Sequence, residues 1–135
     1  MNKLQGKILV IETFGDLSYI SVLAGDIVIK SIIIENQKNK AYLQKGALIY
    51  LFFKETEVIL AKEEKPLSIS LPNRIPGEIT GLEEGALLSK LSLKSSVGKI
   101  VSIITTESLK DLNLQIKDQV IAMIKTNEIM LSIHD

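Results

Sequence analysis

The sequence predicts an all-β fold built as two tandem OB-like Greek-key barrels, each with one short helix. Three observations predict it. The chain echoes itself 71 positions on, most apolar residues fall in short β-branched runs, and turn residues punctuate those runs at close intervals.

The echo is read residue by residue. Gly6, Ser31-Ile32-Ile33, Leu43-Gln44, Lys54, Glu57 and Leu60 return as Gly77, Ser102-Ile103-Ile104, Leu114-Gln115, Lys125, Glu128 and Leu131. Gly15 meets Gly85 if one residue is gapped. The interval is too long for a solenoid repeat and suits a duplicated domain of roughly 65 residues. Two such domains can pack about a pseudo-twofold axis, with a ligand site where they meet.

In the first copy, strands are expected at 7–11, 19–23, 27–34 and 48–53, separated by Gly6, Gly15-Asp16, Ala24-Gly25-Asp26 and Lys45-Gly46. In the second they are expected near 77–79, 87–93, 99–104, 119–124 and 128–133. One short helical stretch per copy precedes the last pair of strands. In the second copy it is Thr105 to Leu112, where a threonine serves as N-cap and an acidic residue follows. Five or so strands with one such helix is the outline of a small Greek-key barrel of the OB type. The nearly continuous apolar run Ile27 to Ile34 suggests a strand covered on both faces. The charged, proline-terminated stretch Lys62-Glu63-Glu64-Lys65-Pro66 sets the boundary, giving domains over 1–64 and 67–135.

Composition limits the chemistry. Lys plus Arg and Asp plus Glu both number 16 in 135 residues, so no polyanion partner is indicated. With no cysteine there is no disulfide framework, thiolate nucleophile or zinc cluster. The one histidine, His134, is next to last and reads as a solvated side chain. Carboxylate pairs such as Glu83-Glu84 read as turn residues, no glycine-rich phosphate loop is present, and no enzyme is expected. No stretch is long and apolar enough for a signal peptide or membrane span, so the expectation is a soluble cytoplasmic protein. A nucleic-acid-binding barrel would need basic grooves and exposed aromatics. Here all six Phe and Tyr precede residue 54 and Arg74 is the only arginine.

Anion chemistry fits better. In Ile103-Ile104-Thr105-Thr106-Glu107-Ser108 a strand runs into a helix N-terminus, where free backbone N–H groups and the positive dipole end can seat an oxyanion. Thr105 and Ser108 stand three apart and can face the same first turn, and Lys125 can add a full charge. The alternative reading of the same residues is an N-cap, an N3 serine and a surface lysine.

Ile104-Thr105-x-x-Ser108, followed by Val120-x-Ala122-x-Ile124-Lys125-x-x-Glu128-Ile129-x-Leu131, resembles the signature of molbindin (Mop, or TOBE-type) molybdate-binding domains. The family's opening Ser-Ala-Arg-Asn run is similar to Ser70-Leu71-Pro72-Asn73, and Leu82 to Ala86 resembles its turn into the second strand. The resemblance covers nearly all of 68–133. The first copy matches more loosely, through Asn2-x-Leu4-x-Gly6 and Lys54-x-Thr56-Glu57-Val58-x-Leu60. The whole chain resembles di-domain molbindins.

That resemblance implies an intracellular binder of molybdate or tungstate with no organic cofactor. It also implies a homo-oligomer, a trimer of di-domain chains, with sites at interfaces between domains. Carried over, Ser70 and the backbone around Leu71 donate, Asn73 braces the turn, and Thr105, Ser108 and Lys125 bind, with Lys54 the surviving charged position of the first copy. A tetrahedral dianion suits such hydroxyl, amide and ammonium donors.

The departures point to asymmetry. Pro72 stands at the family's arginine position, and Ile34 and Gln37 stand at the first copy's threonine and serine positions, with Glu35 between them. The expected working site therefore combines Thr105, Ser108 and Lys125 with the Met1-Asn2 end, whose α-amino group could replace lost charge. The weaker site combines Ser70 and Asn73 with Ile34 and Gln37. The alternative from another class is a regulatory or oligomerisation module of a molybdate transporter or regulator, with anion binding reduced or lost.

Overall fold

The computed structural model describes residues 1–34, 41, 43–62 and 68–133. Glu35, Gln37, the 63–66 part of the expected linker, His134 and the expected first-copy helical stretch lie outside the described residues.

Among the described residues, ten strands and one helix follow in order: β1 Asn2–Phe14, β2 Leu17–Ala24, β3 Ile27–Ile34, β4 Leu48–Phe53, β5 Ile59–Ala61, β6 Asn73–Glu84, β7 Leu88–Ser95, β8 Gly98–Thr105, α1 Thr106–Asp111, β9 Gln119–Ile124 and β10 Met130–Ser132. Short 3-10 turns at Glu55–Glu57 and Thr126–Glu128 precede β5 and β10. Every described strand of the second half begins 71 residues after its counterpart. The fold is the all-β pair of barrels that the sequence predicts. No helix among the described residues is long and apolar enough to cross a membrane.

The long strands β1 and β6 form the corners. The first part of β1 pairs with β4 and the remainder with β2, with a register shift between Ile8 and Val10. β6 divides in the same way between β9 and β7, shifting between Ile79 and Gly81. Such bulges bend a strand and sharpen its twist, which closes a small sheet into a barrel. The repeated glycine belongs to this corner. A Cβ on Gly6 would stand 2.7 Å from the Leu23 carbonyl oxygen, and one on Gly77 would stand 3.2 Å from that of Lys94. At Gly6 only glycine lets the strands approach so closely, and at Gly77 a side chain would have to push the neighbouring strand away by a few tenths of an ångström.

The halves exchange their last strands. One sheet runs β10-β4-β1-β2-β3 and the other β5-β9-β6-β7-β8, so each is completed by a strand from the opposite half. β5 pairs with β9 and β10 with β4, both antiparallel. The sequence reading gave the first copy no fifth strand, because three residues after a one-turn helix leave too short a pattern to detect. β10 is likewise shorter than its expected 128–133.

Buried polar side chains fasten the exchange. The amide of Asn73 accepts from Lys30 N at 2.7 Å and donates to Lys30 O at 2.8 Å. Asn2 does the same to Val101, at 2.8 Å in both directions. Ser31 donates to Ile129 O and Ser102 to Val58 O, each at 2.8 Å. All four side chains are buried, and each pair is related by the 71-residue interval. The repeated Ser-Ile-Ile motif thus has a structural explanation: its serine anchors the segment leading into the exchanged strand. At the hairpin tips, Ser96 donates to Asp26 across the halves at 2.6 Å.

Under these clasps the apolar core is continuous between halves. Ile8, Ile20, Leu51 and Phe53 share one buried cluster with Ile75, Ile79, Leu91 and Ile124. The expectation that 27–34 is covered on both faces is corrected. β3 is an edge strand with mixed burial, and Ile34 is 73% exposed. Its edge is capped by Asn73 instead of by a further strand.

Asn73→Ala removes both partners of the Lys30 peptide groups. Stranding a buried donor or acceptor costs about 1–3 kcal/mol. Urea denaturation is expected to show a loss of about 3 kcal/mol. Asn2→Ala, made at the related position, is expected to lose a similar amount.

Candidate functional site

Two related grooves open between the halves. One, of about 440 Å³, is lined by Thr56, Val58, Ile59 and Leu60 of the first half and by Leu88, Ile103, Ile104, Thr105, Ser108 and Leu112 of the second. The other, of about 350 Å³, is lined by Ile32, Ile33 and Ile34 and by Asn127, Ile129, Met130 and Leu131. Each member of the second groove stands 71 positions from one of the first: Ile34 from Thr105, and Asn127 from Thr56. The strand exchange produces both, because it lays each 3-10 turn and final strand beside the opposite half's third strand.

In the larger groove the chain leaves β8 at Thr105, which caps α1. Its Oγ1 accepts from Ser108 N at 3.1 Å and donates to Ser108 Oγ at 2.9 Å. Both side chains are exposed, so their oxygens and the Ser108 hydroxyl proton can turn to a ligand. The helix is only six residues long and half a turn past the cap is already charged on Glu107, so hydroxyls carry more of any anion binding than the helix dipole does. In the smaller groove the equivalent position is the hydrocarbon Ile34.

The lysines are placed differently from the sequence grouping. Lys54 immediately precedes the 3-10 turn whose Thr56 lines the Thr105–Ser108 groove. Lys125 precedes the related turn beside Ile34. Strand exchange is the reason, since it crosses each turn to the other half. Both lysines are exposed. Asn2 pairs with Phe53 at the start of the Lys54 turn and clasps Val101 on β8, the strand that ends at Thr105. The Met1 amino group forms an ion pair with the Glu55 carboxylate, which compensates its charge. That bond is the main reason the Glu55 carboxyl lies below the usual carboxylate range.

Ser70 and Leu71 lie on the approach to β6, on the Lys125 side, because Asn73 pairs with Ile124. Ser70 is exposed and Leu71 half-buried. The Arg74 side chain turns back and donates to Leu71 O at 2.9 Å and Ile69 O at 2.7 Å, so it braces this segment. Asn73 has both amide groups engaged by Lys30 and braces the halves. Sequence reading did not single out Thr56, Asn127 or Lys62 as neighbours of these grooves; only the crossed strands bring them there.

The far end of α1 is held from the first half. Lys62 donates to Leu112 O at 3.2 Å and Asn113 O at 2.9 Å, and lies 3.3 Å from Asp118. Among the described residues no group of three or more His, Cys, Asp or Glu could hold a bare metal ion.

Residues 69–131 match the TOBE domain. Molybdenum-pterin-binding protein 1 of Clostridium pasteurianum is 32% identical over 66 residues, covering 97% of that protein and 48% of this chain. Its molybdenum-pterin-binding protein 2 is 30% identical over the same length and coverage. The chain belongs to the Mop/TOBE family. Among solved structures, the cytoplasmic molybdate-binding protein ModG, crystallised with molybdate bound, superposes with a TM-score of 0.91 over 98% of this chain and 96% of its own, at 20% identity. That likeness establishes a shared two-barrel fold.

Asp118 gives a pH prediction. The Gln115 backbone N–H, and then Lys62, hold its carboxyl below the usual carboxylate range. A depressed folded-state value means the contribution is present above the unfolded carboxylate pKa and is lost as pH falls through the folded one. Asp118→Asn is therefore expected to lower the thermal midpoint at pH 7, with parent and variant converging below about pH 4. A thermal melt series across pH checks this.

Proposed function

We propose that this chain binds molybdate, with tungstate as the closely related alternative ligand, inside the cell and without catalysis. It serves storage, homeostasis or sensing of the oxyanion. The reading is carried by the Thr105–Ser108 hydroxyl pair, exposed in a groove that both halves build. Family membership supports it, as do relatives named for molybdenum-pterin binding and a structural neighbour named for molybdate.

A tetrahedral dianion in this groove would take the Ser108 hydroxyl as a donor, and the Thr105 hydroxyl once its proton swings from Ser108 Oγ to the ligand, with Lys54 supplying charge from the adjoining turn. Lys125, Ser70 and the Leu71 backbone serve the related groove, where Ile34 offers no hydrogen bond. One strong site per chain follows. The chain acts in the cytoplasm as a homo-oligomer, a trimer by family resemblance. Exposed apolar side chains at both hairpin tips, Phe14 at 89% and Leu87 at 82%, support assembly. The second reading, a regulatory or oligomerisation module with little anion binding, is favoured by one observation: the loss of the hydroxyl at Ile34.

Titration calorimetry with molybdate, tungstate and sulfate, on protein whose mass is checked by light scattering, separates the readings. The expected result is tight binding of the first two at one site per chain in a three-chain particle, with Thr105→Val weakening it about tenfold or more. Silence toward all three in an intact oligomer supports the module, and equal binding of sulfate overturns a molybdate role.

A further inference from the structure

The Thr105–Ser108 pair stands on a buried hydroxyl relay contributed by residues outside the predicted site. Thr106, the first residue of α1, is 6% exposed and Ser89 on β7 is 1% exposed. Thr106 Oγ1 donates to Gly85 O at 2.8 Å. It lies 2.7 Å from Ser89 Oγ. Because the Thr106 proton is committed to the carbonyl, Ser89 must be the donor of the second bond. The order is therefore fixed: Ser89 to Thr106 to Gly85. Thr106 N also donates to Leu87 O at 2.8 Å. Three bonds thus tie one residue to the tip of the β6–β7 hairpin.

That tip is closed by its own backbone bond. Gly85 N donates to Leu88 O at 3.1 Å, and a Cβ on Gly85 would stand 2.3 Å from that oxygen. Thr105 lies between the pinned Thr106 and the strand, and pairs with Leu88 on the same hairpin. Thr105 is thus held from both sides, by its pairing with Leu88 and by the tied Thr106, and Ser108 N, which Thr105 caps, follows three residues on.

We propose that Thr106 is a positioning residue for the anion site, which sets Thr105 and Ser108 in their ligand-facing arrangement through the Ser89–Thr106–Gly85 relay. The copies support the link. Ser18, buried in the first half, is the counterpart of Ser89, but the counterpart of Thr106 is Glu35. An ionised carboxylate accepts only and cannot pass a proton to a carbonyl. The donor side chain of the relay occurs in the copy that kept Thr105 and Ser108.

This inference rests on the Thr105–Ser108 reading, so the test has two arms. Thr106→Val keeps the shape, removes the relay and leaves the buried Ser89 hydroxyl without its Thr106 partner. In ligand-free protein, hydrogen exchange of the Ser108 amide is expected to quicken about tenfold, since a cap bond of ordinary strength is lost. Molybdate affinity is expected to fall about tenfold. Thr106→Ser is expected to restore both. In the Thr105→Val background, Thr106→Val is expected to cost no further affinity, whereas a merely structural loss would add to it. If Thr106→Val fails to fold, Ser89→Ala takes its place, with the same direction and a smaller effect.

Should the parent bind no molybdate, the functional reading fails while the exchange arm still decides the positioning role. Unchanged Ser108 exchange, no rescue by serine, or additive losses with Thr105→Val would each overturn the proposal.

Discussion

Asn2 and Asn73 each bind both peptide groups of one residue on the opposite half, and Ser31 and Ser102 each bind the carbonyl that leads into an exchanged strand. The rest of the molecule depends on these contacts. Two barrels of this size bury too little surface to be robust alone. Here they share a core and trade strands, and no buried side-chain polar atom among the described residues lacks a partner. Buried amides that must be satisfied fix one relative placement, since any slip would strand them in an apolar interior.

That placement decides which residues can meet. Because β5 and β10 cross over, each 3-10 turn lines the other half's groove, and the lysine before it adjoins a groove 71 residues out of step with its own copy. Selection on the interface and selection on the groove are therefore separable. The first copy can carry Ile34 in place of a hydroxyl residue and still keep Ser31 and Asn2, which clasp the second half.

Much of this was legible in the sequence. The 71-residue echo gave the duplication, and the runs 27–34, 48–53 and 119–124 coincide with strands because β-branched alternation between glycine turns is a strong local signal. Thr105 was legible as an N-cap for the same local reason. The exchange was not, since β5 has three residues and its partner is set by long-range pairing alone. For that reason Lys125 was grouped with Thr105, when Lys54 precedes the turn that lines its groove. Asn73 illustrates the limit differently. A buried asparagine that clasps a distant backbone has the same sequence appearance as one that braces its own turn. The Ser89–Thr106 relay carried no sequence signal, because two hydroxyls 17 positions apart meet only once the hairpin and helix have docked.

The central claim is that one fold, held by symmetric clasps, carries one anion groove per chain, built from Thr105 and Ser108 of one half beside the Lys54 turn of the other. The most direct measurement is an anomalous difference map at the molybdenum edge from crystals grown with molybdate. The account predicts a peak within hydrogen-bond reach of Thr105 and Ser108 and no peak at the Ile34 groove. Equal peaks in both grooves, or a peak beside Ile34 alone, would contradict it.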